Sequence, residues 1–244
     1  MPSPPPPSDR SHQVHQLRHQ HSQALYARRA PVYDLELAAL TGLRREAIAQ
    51  LGLEPGETVL DLGCGTGLSL PLLLQAVGPT GQVIGLEPCK AMLEQARQRC
   101  GKDPRLCLIE APAEADWPER GSGKHNGKGD GKADAALLFF THDLQQCPQA
   151  LQRLQDALKP GARVVAAGLV WAPAWQWLGN AFVWGAAWHS LCCFEALHAP
   201  WQGLLPLLSE YRLERRNLET MYLLTGRTGA HAGPERAQRS RGPD

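Results

Sequence analysis

Apolar and polar residues alternate along the chain with a spacing that switches between strand-like and helix-like. Five short, mostly apolar runs predict strands buried within a sheet, at 58–62, 82–87, 105–109, 133–140 and 163–169. Four segments predict helices from apolar spacing or from start and stop signals, one before the first strand at 35–51 and three between strands at 68–77, 88–99 and 145–158. Two alternating segments, 211–218 and 220–225, predict a closing hairpin. This succession predicts an α/β domain with a mostly parallel, seven-stranded sheet.

The length of the chain fits a single domain of this kind. Its 244 residues are enough to enclose a full core. We expect the domain to occupy 23–227, between tails at 1–22 and 228–244 whose polar, proline-containing composition indicates disorder. The glycine- and lysine-rich segment 119–133 cannot bury apolar area, and this predicts a mobile insert.

Charge and cysteine content exclude several classes of function. The net charge is +1, and no basic cluster is interleaved with aromatic residues, so we expect no nucleic-acid partner. The seven cysteines lack metal-binding spacing and are interpreted as reduced thiols in a cytoplasmic protein. Histidines of the first tail are interpreted as part of a solvated segment, and we expect no metal site; they are His12, His15, His19 and His21.

A glycine-rich turn, 63–67, follows the first predicted strand and opens onto a helix. Glycines at its first, third and fifth positions let the backbone turn sharply and approach a ligand closely. Unpaired N–H groups at the start of the helix favour polar or anionic ligand atoms. The spacing differs from the dinucleotide fingerprint G-x-G-x-x-G because position 68 is Leu, and the Gly-Lys-Ser/Thr of a P-loop is absent.

Two carboxylates flank this turn. Asp61 lies two residues before its first glycine, and Glu87 ends the second predicted strand. An acid at the end of the second strand is placed to accept hydrogen bonds from both hydroxyls of a ribose. The turn and the two acids together therefore predict a nucleoside-binding site.

This pattern resembles the class I S-adenosylmethionine (SAM) methyltransferases. The acid-x-Gly-x-Gly-x-Gly turn and the strand-two segment 83–88 carry the resemblance, which extends over 26–227. Within the family, the chain is most similar to bacterial small-molecule and lipid methyltransferases, including the ubiquinone/menaquinone-biosynthesis type. The resemblance implies a doubly wound, Rossmann-like sheet of order 3-2-1-4-5-7-6 with strand 7 antiparallel. It also implies SAM as cofactor and S-adenosylhomocysteine as product.

The resemblance further implies which residues hold the cofactor. The family's adenine loop carries an acid where this chain has Pro112, so the adenine amino group is left to Glu110, Glu114, backbone carbonyls or water. The implied cofactor-binding residues lie in the N-terminal segment, the glycine turn, the end of strand 2, the adenine loop and the end of strand 4: Tyr26, Asp61, Gly63, Cys64, Gly65, Gly67, Glu87, Pro88, Pro112, Ala113, Phe140 and Thr141.

A Thr-His-Asp tripeptide, 141–143, follows the apolar run 133–140. Ligands of open α/β sheets bind at the carboxyl ends of strands, so this tripeptide should lie beside the glycine turn. His142 is the candidate general base or substrate-orienting group, since its ordinary pKa suits either task. Asp143 is predicted either to orient the imidazole or to cap the following helix, and local packing is the alternative for both residues.

The segment 170–202 is rich in tryptophan and poor in charge. No Asp, Glu, Lys or Arg occurs between Arg163 and Glu195, and six of the seven tryptophans lie within 171–201. Interruptions such as Pro173 leave no apolar run long enough to cross a membrane. Three interpretations remain open: an apolar cap over the substrate, a dimer or peripheral membrane contact, and core packing. Candidate substrate-binding residues are Tyr33, Trp171, Trp175 and Tyr222.

These observations predict a SAM-dependent methyltransferase acting on a small, apolar or amphiphilic acceptor. A quinol, a phenol or a lipid headgroup fits the apolar segment, and the protein is expected to be a monomer or a homodimer. One alternative is a related protein that binds SAM without turnover. Another is methyl transfer to a thiol or metalloid, with Cys192 and Cys193 handling the soft acceptor.

Overall fold

The computed structural model describes residues 40–117, 131–188 and 194–229. Several sequence predictions fall outside these ranges and stay predictions. They concern the tails apart from residues 228 and 229, and residues 119–130 of the predicted insert 119–133. They also concern the candidate residues Tyr26 and Tyr33, the tail histidines, and Cys192 and Cys193.

Seven strands form one sheet with the order β3-β2-β1-β4-β5-β7-β6. The strands are β1 (Thr58–Leu62), β2 (Gln82–Leu86), β3 (Leu106–Ile109), β4 (Ala133–Phe139), β5 (Leu158–Leu169), β6 (Leu208–Arg216) and β7 (Met221–Thr228). The first five pair in parallel, and β7 is antiparallel to both of its neighbours. This arrangement confirms the predicted fold class and strand order.

Among the described residues, the first helix precedes β1 and the others lie between strands, and the bounds of the predicted helices differ from the prediction. The observed helices are α1 (Thr41–Gln50), α2 (Leu70–Ala76), α3 (Lys90–Cys100), α4 (His142–Gln145), α5 (Pro148–Ala157) and α6 (Trp177–Trp188), with two 3₁₀ helices at Glu195–His198 and Gln202–Leu207. The single helix predicted at 145–158 is instead two helices. Pro148 lacks an N–H to continue a preceding helix but fits the first turn of a new one, so α5 starts there.

Strand β5 is longer than predicted. It begins at Leu158 rather than at Arg163, and Leu158 pairs with Ala133 of β4. The register between β4 and β5 then shifts before Ala135 pairs with Arg163. Pro160 and Gly161 therefore lie within an irregular part of the strand pairing.

Each face of the sheet is covered by its own hydrophobic cluster. In β4, Leu137 faces the cluster that includes residues of α1 and α2, whereas Leu138 faces the cluster that includes Leu154 of α5. All three leucines are fully buried. Successive strand residues point to opposite faces, which is why the unbroken apolar run of β4 suits a central strand covered on both sides.

The β6–β7 hairpin closes the sheet near the carboxyl end of β5. Leu169, the last residue of β5, pairs with Met221, the first residue of β7. The turn between β6 and β7 spans 217–220 and includes three residues with positive φ, at 217–219, in the region where the sequence predicted a hairpin. Arg216 forms an ion pair with Glu46 at 2.7 Å and so ties the end of β6 to α1.

The tryptophan-rich segment contains a helix, α6, that the sequence pattern did not predict. Asn180 fixes its first half, because its side chain accepts a hydrogen bond from the N–H of Ala172 and donates one to the carbonyl of the same residue. Trp175 and Trp177 are 76% and 70% exposed. The core-packing interpretation is therefore wrong for these two side chains.

Candidate functional site

The glycine turn lies where the carboxyl ends of β1, β2 and β4 meet. The backbone N–H groups of Gly63 and Cys64 both donate to the carbonyl of Leu86, at 2.8 and 3.0 Å, and this anchors the turn to β2. Gly63, Gly65 and Gly67 all have positive φ, a conformation that glycine adopts without steric cost. The turn therefore keeps one defined shape at the edge of the sheet.

Close packing also requires glycine at two of these positions. A Cβ at Gly63 would lie 2.6 Å from Cγ2 of Thr141, and one at Gly67 would lie 2.8 Å from Cβ of Ala96 in α3. Either contact would push apart elements that meet at this edge. The turn can approach β4 and α3 only because these side chains are absent.

Glu87 links the end of β2 to the turn. Its Oε2 accepts a hydrogen bond from the N–H of Gly65 at 3.1 Å, and its Oε1 accepts one from the N–H of Cys89 at 2.8 Å. Burial raises the pKa of Glu87 to about 7, although both N–H donors act in the opposite direction. Each carboxylate oxygen keeps a second lone pair for a ligand.

Asp61, at the end of β1, carries an unsatisfied acceptor. Its side chain is almost fully buried, and its Oδ2 accepts no hydrogen bond from any described residue. Burial raises its pKa to about 7; the charge of Arg44 opposes this shift, and the charge of Glu87 adds to it. Buried polar atoms in folded proteins are normally paired, so this oxygen indicates a missing donor.

Arg44 is a member of the site that sequence reasoning missed. It is 3% exposed on α1, and its guanidinium lies 4.7 Å from the centre of the Phe139 ring. Its positive charge favours the ionised form of Asp61. Helical spacing in the sequence identified only the apolar neighbours of Arg44, since an arginine on a helix is usually solvated.

The end of β4 presents a strained backbone and a second unpaired oxygen. Phe140 has a φ of 62°, an uncommon conformation for a residue other than glycine, and its N–H donates to the carbonyl of Ala167 at 2.7 Å. The buried Oγ1 of Thr141 has no hydrogen-bond partner among the described residues. Backbone strain of this kind tends to occur at functional sites.

His142 lies at this edge but is buried. Its Nε2 is 3.0 Å from the carbonyl oxygen of Leu169, and because a carbonyl only accepts, Nε2 must carry the proton. The neutral ring consequently has its lone pair on Nδ1. Burial lowers the pKa of His142 to about 4, partly opposed by the bond to Leu169. Leu169, rather than Asp143, thus provides the observed hydrogen bond that orients the ring; Asp143 is exposed in the first turn of α4.

The described substrate candidates occupy different surroundings. Tyr222 is fully buried, and its hydroxyl donates to Oε1 of Gln145 at 2.8 Å. Trp171 is half-buried and stacks on Phe194, with ring centres 6.4 Å apart. Trp175, in contrast, is mostly exposed. The three side chains therefore differ in exposure, from fully buried to mostly exposed.

Other residues predicted to bind the cofactor lie in the glycine turn and after β3, within the part of the chain that the structure describes. Cys64 is buried within the turn, and burial raises the pKa of its thiol well above the ordinary value, so it is a neutral packing group. Ala113 is buried after β3, and the carbonyl of Pro112 accepts a hydrogen bond from the N–H of Ala115. Of the two acids beside Pro112, Glu110 is exposed and Glu114 is half-buried.

These features together fit a ligand of defined chemistry. An unpaired buried carboxylate oxygen and a second carboxylate held by the turn favour a ligand with hydroxyl or ammonium donors and positive charge. The glycine turn lets that ligand approach the backbone closely. SAM has such donors and a sulfonium charge, so the residues present fit it.

Comparisons with known proteins agree with this assignment. Residues 59–161 match a family model described as a methyltransferase domain. A Nostoc protein named 2-phytyl-1,4-naphtoquinone methyltransferase is 34% identical, over 58% of this chain and 61% of its own length. A Lactiplantibacillus plantarum protein named demethylmenaquinone methyltransferase is 31% identical, over 64% of this chain and 68% of its own length. The chain thus spans about three fifths of the Nostoc relative.

Solved structures share the fold at low sequence identity. The N-methyltransferase NodS from Bradyrhizobium japonicum, in complex with S-adenosylhomocysteine, has a TM-score of 0.53 and 15% identity, over 76% of this chain and 86% of its own. A putative O-methyltransferase from Nostoc punctiforme has a TM-score of 0.57 and 14% identity, over 83% and 60%. The [4+2]-cyclase SpnF has a TM-score of 0.52 and 15% identity, over 77% and 80%.

The turn with its two acids, the strand order and the relationship to the demethylmenaquinone methyltransferase lead to one conclusion. This chain belongs to the class I SAM-dependent methyltransferases.

Proposed function

We propose that the protein transfers a methyl group from SAM to a naphthoquinol-type acceptor that carries an apolar tail. The observation that carries this proposal is the similarity to relatives named for a phytyl naphthoquinone and for demethylmenaquinone. The uncharged, tryptophan-rich segment supports an acceptor of the same apolar character.

The carboxyl edge of the sheet would hold the cofactor. Glu87 would accept hydrogen bonds from the ribose hydroxyls with its remaining lone pairs, and the unpaired Oδ2 of Asp61 would accept one from the ammonium group. Arg44 would favour the ionised form of Asp61, because its charge opposes the rise in the pKa of that carboxyl that burial causes. When bound, SAM supplies a methyl group already activated by its sulfonium.

The protein's main contribution is to position the acceptor and exclude water. In the transfer, the bond from methyl carbon to sulfur breaks with its electron pair going to sulfur, a new bond forms to the nucleophilic atom of the quinol, and the quinol loses a proton. Holding the reacting groups in line can contribute on the order of 7–11 kcal/mol at the upper end. Apolar side chains around the acceptor would keep the reacting groups dry.

His142 is proposed to orient the acceptor rather than to take its proton. The bond from Nε2 to Leu169 leaves Nδ1 as an acceptor for a quinol hydroxyl. A group whose pKa is about 4 stays neutral above pH 5 and is a weak base. The quinol hydroxyl would release its proton to water or buffer before apolar side chains enclose the acceptor.

A SAM-binding protein without turnover is the second candidate. The observation in its favour is the likeness to the cyclase SpnF, since this fold therefore also occurs in a protein named for a different reaction. Direct measurement of the products separates the two candidates.

The first prediction concerns the reaction. Purified protein given SAM with a labelled methyl group and a reduced, prenylated 1,4-naphthoquinol should yield S-adenosylhomocysteine and labelled quinol in equal amounts. Mass spectrometry checks both products, and Glu87→Gln should lower turnover through a weaker affinity for SAM. SAM binding without S-adenosylhomocysteine from naphthoquinols, phenols, lipid headgroups or thiols would support the candidate without turnover.

The second prediction separates close approach from backbone strain. Gly63→Ala should weaken SAM binding by at least about ten-fold, since its Cβ would displace Thr141 by contact at 2.6 Å. Gly101→Ala is the matched control, because Gly101 also has positive φ but no atom lies within 4 Å of its Cβ position. Both variants should lose about 1–3 kcal/mol of stability from the positive φ, and Gly63→Ala should lose more because of its contact with Thr141. Calorimetric titration and urea unfolding measure the two effects, and equal SAM affinities would contradict the assignment.

The third prediction concerns pH. With pKa values of about 7, Asp61 and Glu87 are each about half protonated at pH 7 in the free protein, and a cationic, donor-bearing ligand requires them ionised. Binding should therefore release about one proton at pH 7, and affinity should fall roughly ten-fold from pH 8 to pH 6 for each carboxyl that must ionise. Titration calorimetry in buffers of different ionisation enthalpy counts the protons. Glu87→Gln should release fewer, and a pH-independent affinity would rule out this linkage.

The fourth prediction tests His142. His142→Asn should lower kcat/KM for the quinol by about ten-fold or more while leaving SAM affinity unchanged, because only the orientation of the acceptor is lost. The wild-type kcat should show no inflection attributable to His142 between pH 6 and 9, since its pKa is about 4. Steady-state rates across that range provide the measurement. An inflection near 6.5 that disappears in the variant would instead identify a general base.

A further inference from the structure

Helix α6 and the β6–β7 turn together expose a group of large apolar side chains. We define the aromatic surface as Trp175, Trp177, Leu178, Phe182 and Leu218, which are between 54% and 82% exposed. Four of them lie in or just before α6, and Leu218 lies in the hairpin turn. A contiguous apolar area on a protein surface usually marks a contact with another molecule.

The aromatic surface is held in place by the fold. Val183 and Ala187 on the opposite side of α6 are fully buried in the core, and Asn180 bonds the helix to Ala172. A Cβ at Gly179 would lie 3.0 Å from Cγ2 of Thr220, so the helix packs directly against the residue that ends the hairpin turn. The exposed side chains therefore project from a fixed support.

The composition of the aromatic surface matches the interface of a lipid bilayer. Tryptophan combines a large apolar ring with one N–H donor, which suits the boundary between acyl chains and headgroups. The segment 164–194 contains no Asp, Glu, Lys or Arg that would oppose insertion. Among the described residues, no helix is long and apolar enough to traverse a bilayer, so insertion would be shallow. The 12 residues of α6 correspond to a length of about 18 Å.

A cationic side chain borders the surface. Arg215 is exposed, and its Nη1 donates to the carbonyls of Trp171 and Glu219, at 3.1 and 3.2 Å, beside the turn that carries Leu218. Its guanidinium also lies 5.3 Å from the centre of the Trp201 ring. The guanidinium has further N–H donors that can bind a phosphate group. Apolar side chains that could contact acyl chains therefore lie next to a cation that could contact lipid phosphates.

The location of the surface relates it to the proposed reaction. Strand β5 leads into α6 from the same sheet edge at which Asp61 and Glu87 end their strands. A naphthoquinol with an apolar tail partitions into lipid, so an enzyme for it must meet its acceptor at a bilayer. We propose that the aromatic surface docks the protein onto a phospholipid bilayer and presents the carboxyl edge of the sheet to it. This inference rests on the proposed function for its choice of partner.

Vesicle binding by the full chain tests the proposal. Phosphatidylcholine vesicles should sediment the wild-type protein, and brominated acyl chains should quench its tryptophan fluorescence. The triple variant Trp177→Ser, Leu178→Ser and Phe182→Ser should bind at least about ten-fold more weakly, since three apolar side chains no longer insert. Tyr211→Ser is the control, because Tyr211 is 53% exposed on β6 outside the aromatic surface. Unchanged SAM affinity shows that the variants are folded.

Each outcome decides the proposal. Equal vesicle binding by the wild type and the triple variant, or no binding by the wild type, overturns it. A wild-type dimer that becomes monomeric in the triple variant, without vesicle binding, overturns it in favour of a second copy of the chain, as analytical ultracentrifugation would show.

Activity measurements separate this proposal from the proposed function. The triple variant should keep turnover with a tail-free naphthoquinol in solution but lose at least about ten-fold with a tailed naphthoquinol in vesicles. Vesicle binding without methylation of any naphthoquinol would refute the proposed function and leave the docking surface standing. Turnover in solution without vesicle binding would do the reverse.

Discussion

The carboxylate of Glu87 is the contact on which the site depends. It accepts hydrogen bonds from two backbone N–H groups, one in the glycine turn after β1 and one at the start of α3. Two chain segments that are separate in sequence are thereby joined at one side chain. Burial makes this carboxylate costly to ionise, and the N–H donors offset part of that cost, so the same group is both a structural link and a proton-sensitive acceptor.

The second acid, Asp61, leaves a buried oxygen without a hydrogen-bond partner among the described residues. Asp61 has an unpaired oxygen in the interior, and Arg44 supplies the nearby positive charge. Burial disfavours the charged form of both carboxyl groups, so their pKa values lie near neutrality and a bound cation would favour their ionisation. Among the described residues, this edge thus keeps a buried acceptor without a partner, which supports the proposed binding of a positively charged ligand there.

Local signals explain which features the sequence predicted. The glycine turn, the acids and the strand order follow from residues whose conformational preferences act within a few positions, or from a family resemblance that those residues carry. The break before Pro148 also has a local cause, but apolar spacing continues across it and hides it. Arg44 was missed because its role arises from packing against Phe139, a contact far along the chain. Helix α6 was missed because its own residues are apolar on nearly every face, so its sequence has no helical alternation of apolar and polar positions.

The close approach of Gly168 to His142 limits which residues can occupy position 168. A Cβ at Gly168 would lie 2.6 Å from Nε2 of the imidazole, and so any larger residue there must evict the ring from the carbonyl of Leu169. The imidazole of His142 can keep its position only while residue 168 has no side chain. A sequence with a larger residue at 168 therefore needs a different residue at 142. The two positions are expected to change together, even without a ligand that contacts both.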